Sequence, residues 1–236
     1  MYSMDKIASL TNYNHVMKLL NKHPDFDKRA YQITLKQGDT LNLSKNRNHS
    51  FIVKEGYIQF SNLQGDEEVF LSICQHGDFI YLPLIDGRFF DNLKLEALDS
   101  CVLWKIDFEV LKTSLLLEDP NNFVLLNFLE NYCVDFYRRI VLSTADARSK
   151  VCYILDYLAK NFGIHQQNGS TLLPPFVSYE KLSFFTGLSR SRIIAVMKEL
   201  TSENIVTLKK HKWVILKSDQ LDRSLFFKEP YDNRIQ

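Results

Sequence analysis

The chain has few cysteines and lacks the residue patterns that metal centres and membrane spans require. It has four cysteines in 236 residues, with no Cys-x-x-Cys pair and no histidine at metal-ligand spacing. No apolar run approaches the roughly 20 residues that cross a bilayer. The first residues also lack the basic stretch and apolar core of a signal peptide. We therefore expect a cytoplasmic protein with reduced cysteines, no metal and no membrane partner.

Recognisable catalytic motifs are missing as well. The sequence contains no phosphate-binding P-loop, no Gly-x-Ser-x-Gly, no His-Glu-x-x-His and no carboxylate pair at catalytic spacing. No cysteine or histidine stands in a convincing context for haem. We predict no catalytic residues, no cofactor and no enzymatic activity.

Charge is distributed unevenly along the chain. Residues 1–136 hold 13 basic and 19 acidic side chains, a net charge of −6, whereas residues 137–236 hold 16 and 9, a net charge of +7. This asymmetry indicates that the second part meets a polyanion, although two solvated surfaces of opposite sign would give the same counts.

Residues from about 31 to 110 have the pattern of short strands. Runs rich in Ile, Val, Leu, Phe and Tyr alternate with turn signals at Gly38-Asp39, Gly56, Gly65-Asp66 and Gly77-Asp78. Regular punctuation of this kind predicts an antiparallel sandwich or barrel.

A long helix with a broad apolar face is predicted next, over the stretch that begins at Asp119. Its main apolar stripe comprises Leu125, Leu129, Tyr132, Phe136 and Ile140, and a second row comprises Leu126, Cys133, Tyr137 and Thr144. A face this wide must be covered, either by the chain's own barrel or by a twin helix of a second subunit.

After a helix capped by Asp146 and ended by Gly163, and a polar loop, two short helices meet at a corner. Ser178 is predicted to cap the first, which runs through Phe185. Gly187 supplies the positive φ of the corner, and Ser189 caps a second helix to about Ser202. This is the helix-turn-helix pattern, whose second helix can enter the DNA major groove.

A basic hairpin is predicted after the second helix, with residues 209–212 at its tip, which makes the domain a winged helix. The side chains expected to contact bases are Arg190, Ser191, Arg192, Ile194 and Ala195. Those expected to contact phosphates are Ser178, Ser189, Lys198, Lys209, Lys210 and Lys212. An ordinary helix pair with solvent-exposed arginines is the alternative.

The stretch "VSYEKLSFFTGLSRSRIIAVMKELTSENIV" resembles the helix-turn-helix of the Crp/Fnr transcription regulators, with Ser189-Arg190 at the family's Ser-Arg. Upstream, "FIVKEGYIQF" and "LSICQHGDFI" resemble the family's β-roll signatures. The resemblance covers residues 31–217. It implies an α+β chain with three parts. They are an antiparallel β-roll sensor domain with an N-terminal helix, like cyclic-nucleotide-binding domains (1–118), a dimerisation helix (119–145) and a winged-helix DNA-binding domain with a C-terminal extension (146–236).

The sequence departs from the cyclic-AMP receptors at the positions that the resemblance assigns to ligand and operator. Tyr81-Leu82 replaces the family's Gly-Glu pair, and Asp91-Asn92 stands where an arginine would meet the cyclic phosphate, so cyclic AMP is not expected to bind. The cysteines that hold an iron–sulfur cluster in the Fnr branch are missing. Ser191 and Ala195 replace the base-reading glutamate and arginine, so we expect an A·T-rich pseudo-palindrome rather than the cyclic-AMP receptor's operator.

The sensor region looks similar to the Gram-positive PrfA-like branch, which lacks the nucleotide site. An effector pocket could be lined by Tyr81, Arg88, Phe89 and Phe90, although a plain core or loop role fits them as well. The expectation is a homodimeric activator or repressor that binds promoter DNA and RNA polymerase. The alternative is a signalling module whose winged helix binds a protein.

Overall fold

The strands predicted between about residues 31 and 110 form two antiparallel sheets of four strands each. A computed structural model describes residues 4–64, 67–82 and 92–221, and the chain divides into two units, Met1–Tyr137 and Arg138–Gln236. The first unit's strands are β1 (Ala30–Leu35), β2 (Thr40–Asn42), β3 (His49–Glu55), β4 (Ile58–Gln64), β5 (Glu67–Cys74), β6 (Phe79–Tyr81), β7 (Leu93–Ala97) and β8 (Cys101–Asp107). One sheet has the order β1-β8-β3-β6 and the other β2-β7-β4-β5. The predicted antiparallel β-roll is confirmed.

Strand β3 shows why these runs are so apolar, because both of its faces are buried. Phe51 and Val53 lie in the core between the two sheets, together with Phe60 and Leu103. Ile52 lies in a second apolar cluster on the other side of its sheet. Successive strand residues alternate between faces, so a strand covered on both sides has no polar face to display.

Helices cover that second side of the sheet. The helices α1 (Met4–Thr11), α2 (Tyr13–Leu20) and α3 (Phe26–Arg29) precede the strands, and α4 (Phe108–Glu118) follows them. Val16 and Leu20 are buried against Val110 and Leu111 in the second cluster. The sheet domain therefore carries its own helical layer.

The predicted long helix is confirmed as α5, Phe123–Thr144. It begins after a turn in which the Asp119 carboxylate accepts a hydrogen bond from the Val124 backbone N–H at 2.8 Å. Its first turns belong to the first unit and its last turns to the second. None of the helices in the described ranges combines the length and the apolar character that a bilayer span requires.

The second unit contains three further helices and a four-stranded sheet. They are α6 (Ala147–Phe162), β9 (Ile164–His165), β10 (Thr171–Leu172), α7 (Tyr179–Thr186), α8 (Arg190–Ser202), β11 (Val206–Lys209) and β12 (Lys212–Ile215), with the strand order β11-β12-β10-β9. Asp146 caps α6 as predicted, accepting hydrogen bonds from the Ser149 backbone N–H and hydroxyl at 3.0 and 2.7 Å. These hydrogen bonds hold the pKa of Asp146 below its usual value, and the bond from the Ser149 hydroxyl has the largest effect.

The polar loop predicted between Gly163 and α7 was wrong in part, because it contains β9 and β10. Thr171 and Leu172 pair with β12 on one side and with β9 on the other. The connection is closed by a hydrogen bond from the Gln166 N–H to the Ser170 carbonyl at 2.8 Å. Strands of two residues are too short to show alternation, so only the pairing of β10 with β12 and of β9 with β10 reveals them.

Gly56, which joins β3 to β4, provides a test of the β-roll packing. Its φ is +86°, and an added Cβ would lie 2.5 Å from the Ser100 carbonyl oxygen. Gly38 has a similar φ of +84° with nothing within 4 Å. We expect Gly38→Ala to lower the free energy of unfolding by about 1–2 kcal/mol through backbone strain alone. Gly56→Ala should lower it further, because the backbone at Ser100 must also move to make room for the Cβ.

Urea unfolding followed by Trp104 fluorescence, with both variants made in a Trp213→Phe background, measures the difference. Equal losses in the two variants would contradict the steric account of Gly56.

Candidate nucleic-acid interface

A left-handed glycine turns the chain between α7 and α8, as predicted. Gly187 has φ 70° and ψ 15°, and its N–H donates to the Ser183 carbonyl at 2.9 Å. The Ser183 hydroxyl donates to the Leu188 carbonyl at 2.5 Å, and the Leu188 N–H donates to the Thr186 hydroxyl at 3.2 Å. These polar groups are satisfied inside the corner, so the angle between the helices is fixed locally.

Both predicted helix caps are present. The Ser178 hydroxyl accepts from the Lys181 N–H at 3.1 Å and the Ser189 hydroxyl from the Arg192 N–H at 3.3 Å. Buried side chains hold the inner faces together, namely Leu182, Phe185, Ile193, Val196, Met197 and Leu200. Helix α8 is thus fixed at its start by a cap and along its length by packing.

The outer side of α8 presents the side chains predicted to contact bases. Arg190, Ser191, Arg192 and Ala195 are exposed, and Ile194 is half-buried. The Ser191 hydroxyl lies 3.1 Å from that of Ser189. The leading turn of α8 is therefore cationic, with small side chains behind it that leave room for a base edge.

The far end of α8 is tied to α6 by an ion pair. The Arg148 guanidinium donates to both carboxylate oxygens of Glu203, at 3.0 and 2.6 Å, and lies 3.7 Å from the Glu199 carboxylate. The hydrogen bond from Arg148 holds the pKa of Glu203 below its usual value. Arg148 thus offsets the negative charge at the C-terminal end of α8. The exposed arginines lie at the N-terminal end of the helix.

The hairpin after α8 ends in a strained two-residue tip. Lys209 pairs with Lys212 as the last register of β11 and β12, so the predicted four-residue tip was too long. Lys210 and His211 form the tip, with φ of 48° and 62°. Two left-handed residues make the tight turn that usually takes Asn-Gly, and a Lys-His pair there is strained. Strain retained at a basic tip is typical of a functional position.

Six exposed cations therefore lie on α8 and on the hairpin, which we call the wing. They are Arg190, Arg192, Lys198, Lys209, Lys210 and Lys212. Within residues 4–64, 67–82 and 92–221, none of the six forms a salt bridge or a side-chain hydrogen bond. Such cations are available to neutralise phosphates.

Trp213 anchors the wing, a role that the sequence reasoning missed. Its side chain is 5% exposed, and its ring meets the Tyr179 ring edge-on at a centroid distance of 5.5 Å. The contact joins β12 to the first turn of α7, next to the Ser178 cap. Trp213 lies in an apolar strand, and nothing in the sequence pattern indicates that its ring contacts Tyr179.

Some residues of the two predicted apolar rows of α5 pack on the sheet domain, and the others are exposed. Leu125 packs into the second cluster of the first unit, and the Tyr132 ring lies 6.3 Å from that of Phe60, so both face their own sheet domain. Leu129, Phe136 and Ile140 are 43%, 41% and 65% exposed. From the neighbouring row, Leu126, Cys133, Tyr137 and Thr144 are exposed as well. Among the residues that the structure describes, one edge of this helix face therefore packs on the sheet domain and the other edge is exposed.

The predicted effector pocket can be described only at its edge. Arg88, Phe89 and Phe90 lie outside the described residues, and of Tyr81 only the backbone is described, at the end of β6. Leu82, which follows the end of β6, is 2% exposed. In the described ranges, no group of His, Cys, Asp or Glu side chains is arranged to hold a metal ion.

Comparison with solved structures shows the same fold in bacterial proteins, two of the three below being regulators by name. A cyclic nucleotide-binding domain containing protein from Listeria monocytogenes EGD-e aligns at 18% identity over 89% of this chain and 99% of its own, with a TM-score of 0.74. The c-di-GMP responsive global regulator CLP from Xanthomonas campestris aligns at 18% identity over 86% and 98%, with a TM-score of 0.68. A CRP-family transcriptional regulator from Thermus thermophilus aligns at 17% identity over 81% and 95%, also at 0.68.

No protein-family model matches the sequence, and no curated protein sequence matches it either. At identities of 17–18% the likeness to solved structures concerns the fold. The chain has the α+β fold of Crp/Fnr transcription regulators, which confirms the fold that the sequence resemblance implied.

The wing tip supports a prediction about strain. His211→Gly relieves one left-handed side chain and is expected to raise the free energy of unfolding by roughly 0.5–1 kcal/mol, net of glycine's greater freedom when unfolded. His211→Ala keeps a Cβ in the same conformation and should bring no such gain. Urea unfolding followed by Trp213 fluorescence in a Trp104→Phe background measures both, and a gain in the alanine variant equal to that in the glycine variant would refute the strain.

Proposed function

We propose that the chain is a homodimeric transcriptional regulator that binds double-stranded promoter DNA through α8 and the wing. The observation that carries the proposal is the group of six exposed cations on α8 and the wing, beside a helix-turn-helix whose corner is closed by hydrogen bonds. A major groove about 12 Å wide admits a helix. A helix that presents a cationic first turn and small outer side chains fits such a groove.

Arg190 is the side chain that we assign to base recognition. It is the first residue of α8, and it is exposed directly after the Ser189 cap. A guanidinium can donate two hydrogen bonds to the O6 and N7 atoms of guanine. Arg192 is the second candidate for a base edge.

The remaining outer surface of α8 favours thymine. Ala195 and the half-buried Ile194 offer apolar contacts to thymine methyl groups, and Ser191 can bond to several bases. An A·T-rich pseudo-palindrome with one guanine read per half-site follows from this composition.

We assign phosphate contacts to the other cations of α8 and the wing and to the capped N-terminal ends of α7 and α8. Lys198 lies further along α8, and Lys209, Lys210 and Lys212 lie on the wing. Ser178 and Ser189 are exposed at the N-terminal ends of α7 and α8, where backbone N–H groups and the helix dipole favour an anion. These contacts position the protein but read no sequence.

The second subunit is assigned to the uncovered edge of α5. Leu126, Cys133 and Ile140 follow one another at intervals of seven residues, and Leu129 and Phe136 do the same three positions later; all five are exposed. Such spacing gives the a and d positions of a parallel two-stranded coiled coil. We therefore propose this seam in place of the stripe with Leu125 and Tyr132, which pack on their own domain.

RNA polymerase is the expected second partner of a promoter-bound regulator. The effector, if there is one, is proposed to be something other than a cyclic nucleotide, since Leu82 is buried and apolar where the resemblance places a ribose-binding carboxylate. Catalysis has no part in this function.

Arg190→Ala tests both DNA binding and base readout. The probes are a palindrome selected by the wild-type protein from a random duplex library and a random duplex of equal length. Wild-type binding should weaken steeply with salt. Arg190→Ala should lose about 1–3 kcal/mol per half-site on the selected palindrome while losing far less on random DNA. Fluorescence anisotropy at several salt concentrations gives both quantities.

Lys210→Ala is the matched control, since it removes one exposed cation assigned to phosphate. It should weaken binding to both duplexes alike and lower the salt slope by about 2 for the dimer. Equal losses on the two duplexes for Arg190→Ala would remove its assigned role. If the wild-type protein bound no duplex in a salt-dependent way, the alternative of a protein-binding winged helix would replace the proposal.

Cys133 reports on the proposed seam. In a parallel coiled coil, two a-position thiols face each other across the dimer axis, so mild oxidation should link wild-type dimers covalently. Cys74 is half-buried and Cys101 and Cys152 are buried, so Cys133→Ser should abolish the link. Phe136→Glu should give monomers in analytical ultracentrifugation, and a wild-type chain that stays monomeric at micromolar concentration would rule out the seam.

A further inference from the structure

One arginine of α5 reaches the corner that sets the direction of α8. Arg139 lies in the second unit, and its Nη1 donates a hydrogen bond to the Phe185 carbonyl oxygen at 2.9 Å, in a partly buried position. Phe185 lies in the last turn of α7, two residues before Gly187, and its side chain is fully buried. The contact joins segments that lie 46 residues apart in sequence.

The chemistry of this contact makes it directional. The last carbonyls of a helix have no partner within the helix and carry the negative end of its dipole. A guanidinium supplies both positive charge and a donor of fixed geometry to such a carbonyl. Arg139 therefore acts as a side-chain cap for the C-terminal end of α7.

Two neighbours reinforce the attachment within the same unit. The Arg138 guanidinium lies 5.3 Å from the centroid of the Tyr157 ring on α6, and Leu142 is 4% exposed. The end of α5 is thus held within the second unit by Arg138 on Tyr157 and by Arg139 on Phe185, and Leu142 is buried there. Ile140, which belongs to the proposed seam, is 65% exposed between them.

We propose that Arg139 is a positioning residue that sets the distance between the two recognition helices of the dimer. The inference rests on the proposed function. Ile140 lies at the dimer axis if the seam is correct, and the adjacent Arg139 holds the corner from which α8 leaves. Each α8 then takes a fixed position relative to the axis, and the protein prefers operators whose half-sites have one particular spacing.

Arg139→Ala separates positioning from folding and from base contact. The probes are the palindrome selected by the wild-type protein, a duplex with one half-site randomised, and palindromes with one or two base pairs inserted between the half-sites, all titrated at low salt. Binding to the single half-site should not change. The ratio of full-palindrome to half-site affinity should fall by at least about tenfold, because the second half-site no longer lies where the second α8 points. The preference for the native spacing should weaken in parallel.

Two further variants complete the test. Arg139→Lys keeps the charge and a donor, and it should restore most of the ratio and the spacing preference. Lys217→Ala removes one exposed cation elsewhere in the same unit and should leave the ratio unchanged.

The results distinguish the failure of this inference from the failure of DNA binding. If Arg139→Ala left the affinity ratio and the spacing preference intact, the positioning role would be overturned while the proposed function stood. If half-site and full-site affinities fell together, Arg139 would be a stabilising residue only, and the inference would fail too. If no duplex were selected by the wild-type protein, the proposed function itself would fail.

Discussion

The functional surface depends on the hydrogen-bonded corner between α7 and α8. Gly187 adopts a left-handed conformation with φ 70°, and the hydroxyls of Ser183 and Thr186 satisfy the backbone on either side of it. Because the corner closes on itself, the direction of α8 is set before any partner binds. In the proposed complex with DNA, a rigid start to α8 lowers the entropic cost of bringing its side chains to base edges.

Exposed positive charge is concentrated on α8 and the wing, and backbone strain lies at the wing tip. Six exposed cations lie on α8 and the wing, while Arg148 pairs with the carboxylates at the other end of α8. The wing places Lys210 and His211 in a conformation that side chains disfavour. The Trp213 ring against Tyr179 links this wing to α7. The Trp213 contact fixes the base of the wing, and the left-handed tip residues Lys210 and His211 are exposed.

Local signals in the sequence predicted much of this arrangement. Ser178, Ser189 and Gly187 were identified as caps and corner because capping depends on residues within three or four positions. The sheet domain was predicted from alternating apolar runs and their turns. By contrast, β9 and β10 were missed, since strands of two residues carry too little pattern and are defined by their pairing, β10 with β12 and β9 with β10.

The amino-acid sequence by itself determined the type of each long element, the helix-turn-helix corner and the concentration of positive charge in the second part of the chain. These follow from short-range periodicity, backbone preference and composition. Only the tertiary structure decided which edge of α5 stays uncovered and that Arg139 reaches the Phe185 carbonyl. Both depend on where residues distant in sequence meet, and a shift of one residue around a helix, about 100°, moves a side chain from one partner to another.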